Sequence, residues 1–157
     1  MRIAECECHM AGENPILAGA PVPGRKVIEV SAGLVFRHGL LLITQRRPQD
    51  HLGGLWEFPG GKRHAKESDE ECLRRELMEE LGIEVEIKEL LDTVAHAYPE
   101  QTVCLKFYRC GWKGNEPRAL GCDDFAWVGR EQLGGYTFPA ADAQLLEKLQ
   151  GMSELWR

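Results

Sequence analysis

The chain has 157 residues, which is enough for one domain with a substantial hydrophobic core. Hydrophobic residues make up 43% of it and charged residues 28%, the composition of a soluble globular protein rather than a disordered or fibrous one. The formal net charge is -6, which argues against nucleic-acid polymers as partners, because phosphate backbones are bound by basic surfaces.

The sequence predicts a reduced, cytoplasmic protein that makes no contact with membranes. No apolar run approaches the roughly 20 residues of a membrane helix, and residues 16–20 are too short for a secretory signal. The six cysteines are therefore interpreted as thiols rather than disulfides. Cys6, Cys8 and His9 form a C-x-C-H cluster that either holds a metal or belongs to an ordinary tail. The tail is the alternative supported by the absence of a second ligand pair with zinc-site spacing.

Residues 1–24 show little hydrophobic periodicity and contain three prolines. Such a stretch is either disordered or laid along the surface of the domain that follows. We therefore expect an N-terminal extension, flexible in character, ahead of a single folded domain over residues 25–157.

A β-hairpin is predicted at the start of this domain. Residues 27–36 are rich in β-branched and apolar side chains, a turn follows at 37–39, and residues 40–46 form a second strand. Arg46 and Arg47 lie at its end. They are either solvated charges or phosphate ligands, a role that suits the guanidinium group.

A loop over residues 49–55 leads into the segment W-E-F-P-G-G at 56–61. Its two glycines let the backbone approach a ligand closely and leave carbonyl oxygens free for a metal. Trp56 and Phe58 either stack on a planar ligand or fill the core beside the Gly-Pro turn. The residues alone leave both roles open.

A helix with one crowded acidic side is predicted after this loop. Ser68 and Glu71 have capping-box spacing, and Gly82 is a natural stop. At about 100° per residue, an apolar stripe runs beside a group of carboxylates. The stripe consists of Leu73, Leu77 and Leu81, and the carboxylates are those of Glu76, Glu79 and Glu80. The group is either a solvated face or the ligand set of a divalent cation such as Mg²⁺. The second reading follows because the crowded like charges repel one another and a bound cation would compensate them.

The remainder of the chain is mostly strand. Strands are predicted at residues 83–87, 89–97, 101–112 and 125–128, with loops at 98–100, 120–124 and 134–141 and a final helix at 142–149. Strands dominate and two helices flank them. The sequence therefore predicts one α+β domain.

Gly61, Glu67 and residues 75–83 resemble a complete Nudix box, G-x5-E-x7-R-E-U-x-E-E-x-G-U, in which U is aliphatic. Every fixed position is filled, on a predicted loop, helix and loop. The resemblance implies the Nudix fold, an α/β/α sandwich with a mixed β-sheet between helices, and metal-assisted hydrolysis of a phosphoanhydride bond. It implies Mg²⁺, with Mn²⁺ as a substitute, held by Gly61, Glu76, Glu79 and Glu80.

Further roles follow from the same resemblance. Glu76 is also the candidate to orient or deprotonate the attacking water, while Arg75 and Glu67 match positions that brace the others by ion pairing. A further acidic residue outside the box often completes the chemistry in this family. Asp123 and Asp124 are the nearest candidates for that residue, with a plain loop role as the alternative.

The segments around the box, L-L-I-T-Q-R-R-P, G-G-L-W-E-F-P-G-G-K, H-A-Y-P-E and Y-T-F-P-A-A-D, resemble the MutT branch. Its members hydrolyse nucleoside triphosphates, including 8-oxo-dGTP, to monophosphate and pyrophosphate in nucleotide-pool sanitation. The substrate-binding residues implied are Arg46, Phe58, Tyr98 and Asp142. Asp142 stands where the founding pattern has asparagine, and an ionised carboxylate only accepts hydrogen bonds, so a different base selectivity is expected.

Two other functions remain open from the sequence. One is a Nudix enzyme for CTP, 5-methyl-dCTP or another nucleoside diphosphate-linked compound, since related enzymes share similar flanks. The other is a non-catalytic Nudix-like module that binds DNA lesions, which the acidic charge and the complete box disfavour. The expected partner is a small nucleotide, and the chain is expected to be a monomer or a homodimer.

Overall fold

A computed structural model describes residues 24–157 as a mixed β-sheet with an α-helix on each face. The strands are β1 Lys26–Arg37, β2 Leu40–Gln45, β3 Trp56–Glu57, β4 Gly60–Lys62, β5 Glu84–Ala97, β6 Gln101–Gly114 and β7 Asp124–Val128. The helices are α1 Asp69–Leu81 and α2 Ala143–Gly151, with 3-10 turns at Leu133–Gly135, Ala140–Asp142 and Ser153–Trp156. The predicted extension and the Cys6, Cys8 and His9 cluster lie outside the described residues, apart from Gly24.

Strand β1 is the centre of the sheet, whose order is β3-β2-β1-β6-β5. One edge of β1 pairs with β6 in parallel along almost its whole length. The other edge is shared, because β2 pairs only with Phe36 and Arg37 while β4 pairs with Val30–Ala32. The predicted β1–β2 hairpin is confirmed, and the division of this edge brings the glycine-rich strand β4 against the middle of the sheet.

The alternating side chains of the central strands build two apolar layers. Leu34 points to one side of β1 and Val35 to the other, as strand geometry requires. The first layer packs against Leu145 and Leu149 of α2. The second packs against the predicted stripe of α1, which is formed by Leu73, Leu77 and Leu81. A helix therefore covers each face of the sheet, as the α/β/α prediction requires.

Strand β5 differs from the sequence prediction of two separate strands. It is continuous, with register shifts against β6 between Ile87 and Leu90 and between Leu90 and Asp92. A bulge adds an unpaired residue and interrupts the alternation of side chains, and Leu90 is exposed there. The sequence pattern was broken by this bulge and not by a turn.

The cysteines within the apolar layers behave as structural thiols. Cys72, Cys110 and Cys122 are buried and free, and burial raises the thiol pKa to about 11 for Cys72 and Cys122 and to about 12 for Cys110. Thiols with such pKa values are poor nucleophiles at neutral pH. Neither α1 nor α2, the two α-helices of residues 24–157, is long and apolar enough to cross a membrane.

Candidate active site

The start of α1 is fixed to the sheet by a cap and a polar cluster. The Ser68 hydroxyl accepts a hydrogen bond from the Glu71 amide at 3.1 Å, and the Glu71 carboxylate accepts one from the Ser68 amide at 2.9 Å. This is the predicted capping box. Asp69 in the first turn accepts hydrogen bonds from Lys106 at 2.9 Å and Tyr108 at 3.0 Å on β6. The acidic side of α1 therefore has a defined position over the sheet.

Strand β4 carries its two glycines because the surrounding atoms leave no room for side chains. A Cβ on Gly60 would overlap the backbone of Ser31 in β1. A Cβ on Gly61 would lie 2.5 Å from both carboxylate oxygens of Glu76, closer than real Cβ contacts allow. The Glu76 carboxylate of α1 therefore lies directly against the Gly61 backbone, as a shared ligand site requires.

Arg75 connects the carboxylates of the box. Its guanidinium donates to both oxygens of Glu67, with Nε at 2.6 Å and Nη2 at 3.1 Å. Its Nη1 donates to Glu76 at 2.9 Å and to Glu79 at 3.2 Å. The hydrogen bond from Arg75 is the main cause that lowers the pKa of the Glu67 carboxyl to about 2, and Glu67 in turn raises the pKa of Arg75. Arg75 and Glu67 therefore form an ion pair within the box.

Glu80 is the deepest carboxylate of the helix. Its side chain is buried, and its Oε2 lies 3.4 Å from the Gly60 amide, which donates to it. Burial, followed by the negative charge of Glu57, raises the pKa of the Glu80 carboxyl to about 8. By contrast, 61% of the Glu79 side chain is exposed. The three glutamates of the predicted cluster thus occupy a deep, an intermediate and a surface position.

The oxygen atoms at this site have the chemistry of a divalent-cation site. Mg²⁺ takes carboxylate and carbonyl oxygens, and Gly61, Glu76, Glu79 and Glu80 supply them. Within residues 24–157, no three His, Cys, Asp or Glu side chains are grouped closely enough to hold a metal ion in their present conformations. Arg75 engages Glu76 and Glu79 instead. The donor set fits a hard cation.

A cavity of about 680 Å³ is lined in part by Gly60 and Gly61, the two residues that the Glu80 and Glu76 carboxylates approach. Apolar side chains form its walls, and the principal ones are Val30, Ala32, Phe58, Val103, Leu105 and Phe107. All four residues predicted to bind substrate line it, namely Arg46, Phe58, Tyr98 and Asp142. Its volume and apolar walls suit a small ligand with a flat ring.

Phe58 lies at the border between the core and the cavity. Its ring is buried and packs against Phe107 and Phe138, with centroids 6.0 Å and 5.2 Å away. It is therefore a core residue that also forms part of the cavity wall. Trp56 packs edge-on against Tyr136 and does not line the cavity, so the structure places it in the core.

Arg46 is bound within the protein and is not a solvated charge. Its Nη1 pairs with Glu57 at 2.9 Å, and its Nε donates to the His51 carbonyl at 2.6 Å. Sequence reasoning missed Glu57, which lines the cavity with only 29% of its side chain exposed. No local pattern identifies it, because β3 has only two residues. Arg47 donates to the Leu120 carbonyl at 3.0 Å and lies outside the cavity.

Asp142 lies at the cavity end of the turn before α2. Its carboxyl is buried and makes no capping hydrogen bond to the helix. Burial raises the pKa of this carboxyl to about 7, with a further contribution from the charge of Glu57. Asp123 and Asp124 are exposed before and at the start of β7, and Asp124 accepts a hydrogen bond from the amide of Phe125 at 2.8 Å. Neither of these two aspartates lines the cavity.

Comparisons with known proteins agree with this arrangement. Residues 31–148 match the model of the NUDIX domain family. An 8-oxo-dGTP diphosphatase of Proteus vulgaris is 45% identical over 85 residues, which cover 54% of this chain and 76% of that protein. The CTP pyrophosphohydrolase of Escherichia coli strain K12 is 33% identical over 127 residues, which cover 81% of this chain and 94% of that protein. The solution structure of the E. coli ORF135 protein superimposes with a TM-score of 0.74 and 32% identity over 85% of this chain and 96% of that one, which confirms the predicted fold. The chain therefore belongs to the NUDIX family and is a MutT-like Nudix hydrolase, an enzyme that acts on phosphoanhydride bonds.

Proposed function

We propose that the protein is a Mg²⁺-dependent enzyme that hydrolyses nucleoside triphosphates, oxidised or modified ones such as 8-oxo-dGTP included, to monophosphate and pyrophosphate. This is nucleotide-pool sanitation, for which we propose a cytoplasmic location. The observation that carries the proposal is that Gly60 and Gly61 line a cavity of nucleoside size and also lie against the Glu80 and Glu76 carboxylates of α1. Relatives named 8-oxo-dGTP diphosphatase and CTP pyrophosphohydrolase support a nucleotide as substrate.

The phosphate end of the site lies on α1 and β4. Nudix hydrolases generally use divalent metal ions, and here the Gly61 carbonyl with Glu76, Glu79 and Glu80 would hold Mg²⁺, or Mn²⁺ in its place. A bound ion of this kind neutralises phosphate oxygens and lowers the pKa of a water ligand. Glu76, which lies against Gly61, would orient or deprotonate the attacking water. Arg75 sets the direction of the carboxylates through its hydrogen bonds.

The nucleoside end of the site lies in the apolar cavity. Its aromatic wall includes Phe58, which offers the base an apolar surface. Tyr98 also lines the cavity, and its ring packs edge-on against those of His51 and His96, with centroids 6.5 Å and 4.6 Å away. Asp142 presents a carboxyl group to the edge of the base, and Arg46 lines the cavity together with its ion-pair partner Glu57. The chain thus holds the reacting phosphates and the base with separate elements.

A second candidate function is hydrolysis of CTP or 5-methyl-dCTP. The observation that favours it is the E. coli CTP pyrophosphohydrolase among the relatives, together with Asp142 as the base-facing group. A non-catalytic lesion-binding module is not favoured, because the family assignment gives a hydrolase and the full set of box glutamates is kept.

A nucleotide panel tests the proposal. The protein is incubated with Mg²⁺ and, separately, 8-oxo-dGTP, dGTP, dCTP and 5-methyl-dCTP, and monophosphate and pyrophosphate are quantified. We expect turnover of at least one of them, and we expect Glu79→Gln to reduce kcat by a factor on the order of 10² or more through weaker metal binding. Glu116→Gln removes a carboxylate that pairs with Arg37 on the surface and is the matched control. Absence of pyrophosphate with every nucleotide would refute the proposal.

A further inference from the structure

A buried hydroxyl group on the sheet lies beneath α1 without a hydrogen-bond partner. Thr44 of β2 is fully buried, and within residues 24–157 its Oγ1 is one of the few buried side-chain atoms that make no hydrogen bond. A buried donor that lacks an acceptor costs free energy, so such groups are uncommon in folded proteins. The unused donor of Thr44 therefore requires an explanation from its surroundings.

The geometry of β2 directs Thr44 at Glu80. Thr44 follows Leu42 by two residues, and Leu42 packs against the leucine stripe of α1, so alternation along the strand turns both side chains towards this helix. Glu80 belongs to the same helix and is also buried. Burial and the charge of Glu57 raise the pKa of the Glu80 carboxyl, while the Gly60 amide and the Thr44 hydroxyl lower it. The hydroxyl therefore faces the Glu80 carboxylate, although the two groups lie outside the usual limits of a hydrogen bond.

The Glu80 carboxylate is poorly supplied with donors for a buried group. The hydrogen bond that its Oε2 accepts from the Gly60 amide is long, at 3.4 Å. Glu80 must be ionised to hold a divalent cation, and an ionised carboxylate buried in the protein needs hydrogen-bond donors on the lone pairs that the ion leaves free. Donors of this kind also fix the direction of a metal-binding carboxylate. Thr44 is placed to supply one.

We infer that Thr44 is a positioning residue of the metal site, whose hydroxyl donates a hydrogen bond to the Glu80 carboxylate when Glu80 holds a divalent cation. The inference rests on the proposed function, because it assumes that the glutamates of α1 hold the ion. It extends the metal site to a residue of β2 outside the box, and it accounts for the unused donor.

The inference is tested by removing the hydroxyl group while the shape of the side chain is kept. Thr44→Val replaces the hydroxyl by a methyl group, Thr44→Ala removes it without adding one, and Thr44→Ser retains it. Mn²⁺ binding at pH 8 without nucleotide is measured from the paramagnetic resonance signal of the free ion. We expect the Val and Ala variants to bind Mn²⁺ more weakly by about tenfold to a hundredfold, and Thr44→Ser to bind it nearly as the wild type does.

Thr102→Val is the matched control for these variants. Thr102 is buried in β6 and is not among the residues that line the cavity. Its substitution tests the general cost of replacing a buried threonine by valine, and Mn²⁺ affinity should stay at the wild-type value. The Mg²⁺ concentration that gives half the maximal rate should rise in Thr44→Val by the same factor as the Mn²⁺ dissociation constant, and it should not change in Thr102→Val.

Stability without metal distinguishes this role from a purely structural one. In urea with a chelator present, Thr44→Val should be at least as stable as the wild type, because the substitution removes a buried donor that has no partner. A structural hydroxyl would give the reverse result, with lower stability and unchanged Mn²⁺ binding. That result would overturn the inference.

The outcomes also separate the inference from the proposed function. Wild-type Mn²⁺ affinity in both Thr44→Val and Thr44→Ala would overturn the inference and leave nucleotide hydrolysis in place. Absence of turnover with every nucleotide of the panel would refute the proposed function, and the Mn²⁺ titrations would still decide the inference. A wild-type protein that binds no Mn²⁺ would overturn the inference together with the proposed metal dependence.

Discussion

Glu80→Gln is expected to make the metal-free protein more stable at pH 8 while it abolishes hydrolysis. Burial and the charge of Glu57 raise the pKa of the Glu80 carboxyl from 4.5 to about 8. Between these two values the folded protein keeps a proton that the unfolded chain has lost. The free energy of unfolding therefore falls as the pH rises through this window, because the unfolded state binds fewer protons.

The size of this effect follows from the proton linkage. In the pH range where Glu80 is ionised only in the unfolded chain, the free energy of unfolding falls by about 1.4 kcal/mol for each pH unit. From pH 6 to pH 8, with ionisation of the folded state beginning near pH 8, the loss amounts to about 2 kcal/mol. Glutamine is neutral throughout, so the variant lacks this part of the pH dependence.

Urea unfolding in the presence of a chelator, at pH 6 and pH 8, measures the difference. Asp142 also has a raised carboxyl pKa, of about 7, and its contribution is common to the wild type and the variant. For each protein, the free energy of unfolding at pH 6 is compared with that at pH 8. The difference between the wild type and the variant in this change is the contribution of Glu80. Glu116→Gln, which removes a carboxylate of an exposed ion pair, should lose as much stability between pH 6 and pH 8 as the wild type. If Glu80→Gln loses as much stability as the wild type between pH 6 and pH 8, the assigned burial of this charge is wrong.

Two further substitutions test the geometry around the glutamates. Gly61→Ala is expected to keep the fold but to lower kcat by a factor of about 10² or more, because the new Cβ displaces the Glu76 carboxylate. Gly135→Ala is the control, because a Cβ added there meets no atom within 4 Å. A wild-type kcat in Gly61→Ala would contradict the contact between Gly61 and Glu76. Arg75→Lys should raise the Mg²⁺ concentration that gives half the maximal rate by about tenfold to a hundredfold, because an ammonium group cannot reproduce the forked contacts of the guanidinium. The exposed Arg74→Lys is its control, and an unchanged Mg²⁺ titration would argue against bracing by Arg75.

Helix α1 was predictable because its determinants are local. The Ser68 cap, the leucine stripe and the stop at Gly82 are all set by spacing within one element, and the structure contains each of them. The depth of its carboxylates was not predictable. Glu79 and Glu80 are adjacent in sequence and both fall within the predicted acidic arc, yet one is exposed and the other buried. Strand β4 and the sheet decide this difference, and their approach to α1 has no local signal.

The position of Glu57 is set by long-range packing and not by the sequence of the box. It reaches the cavity because β3 pairs with the end of β2, which places Glu57 beside Thr44. From there its charge raises the pKa of both the Glu80 and the Asp142 carboxyls, and its ion pair holds Arg46. Glu80 and Asp142 lie far apart in the sequence, but one carboxylate acts on both. We therefore expect a change of charge at Glu57 to shift the pKa of both carboxyls.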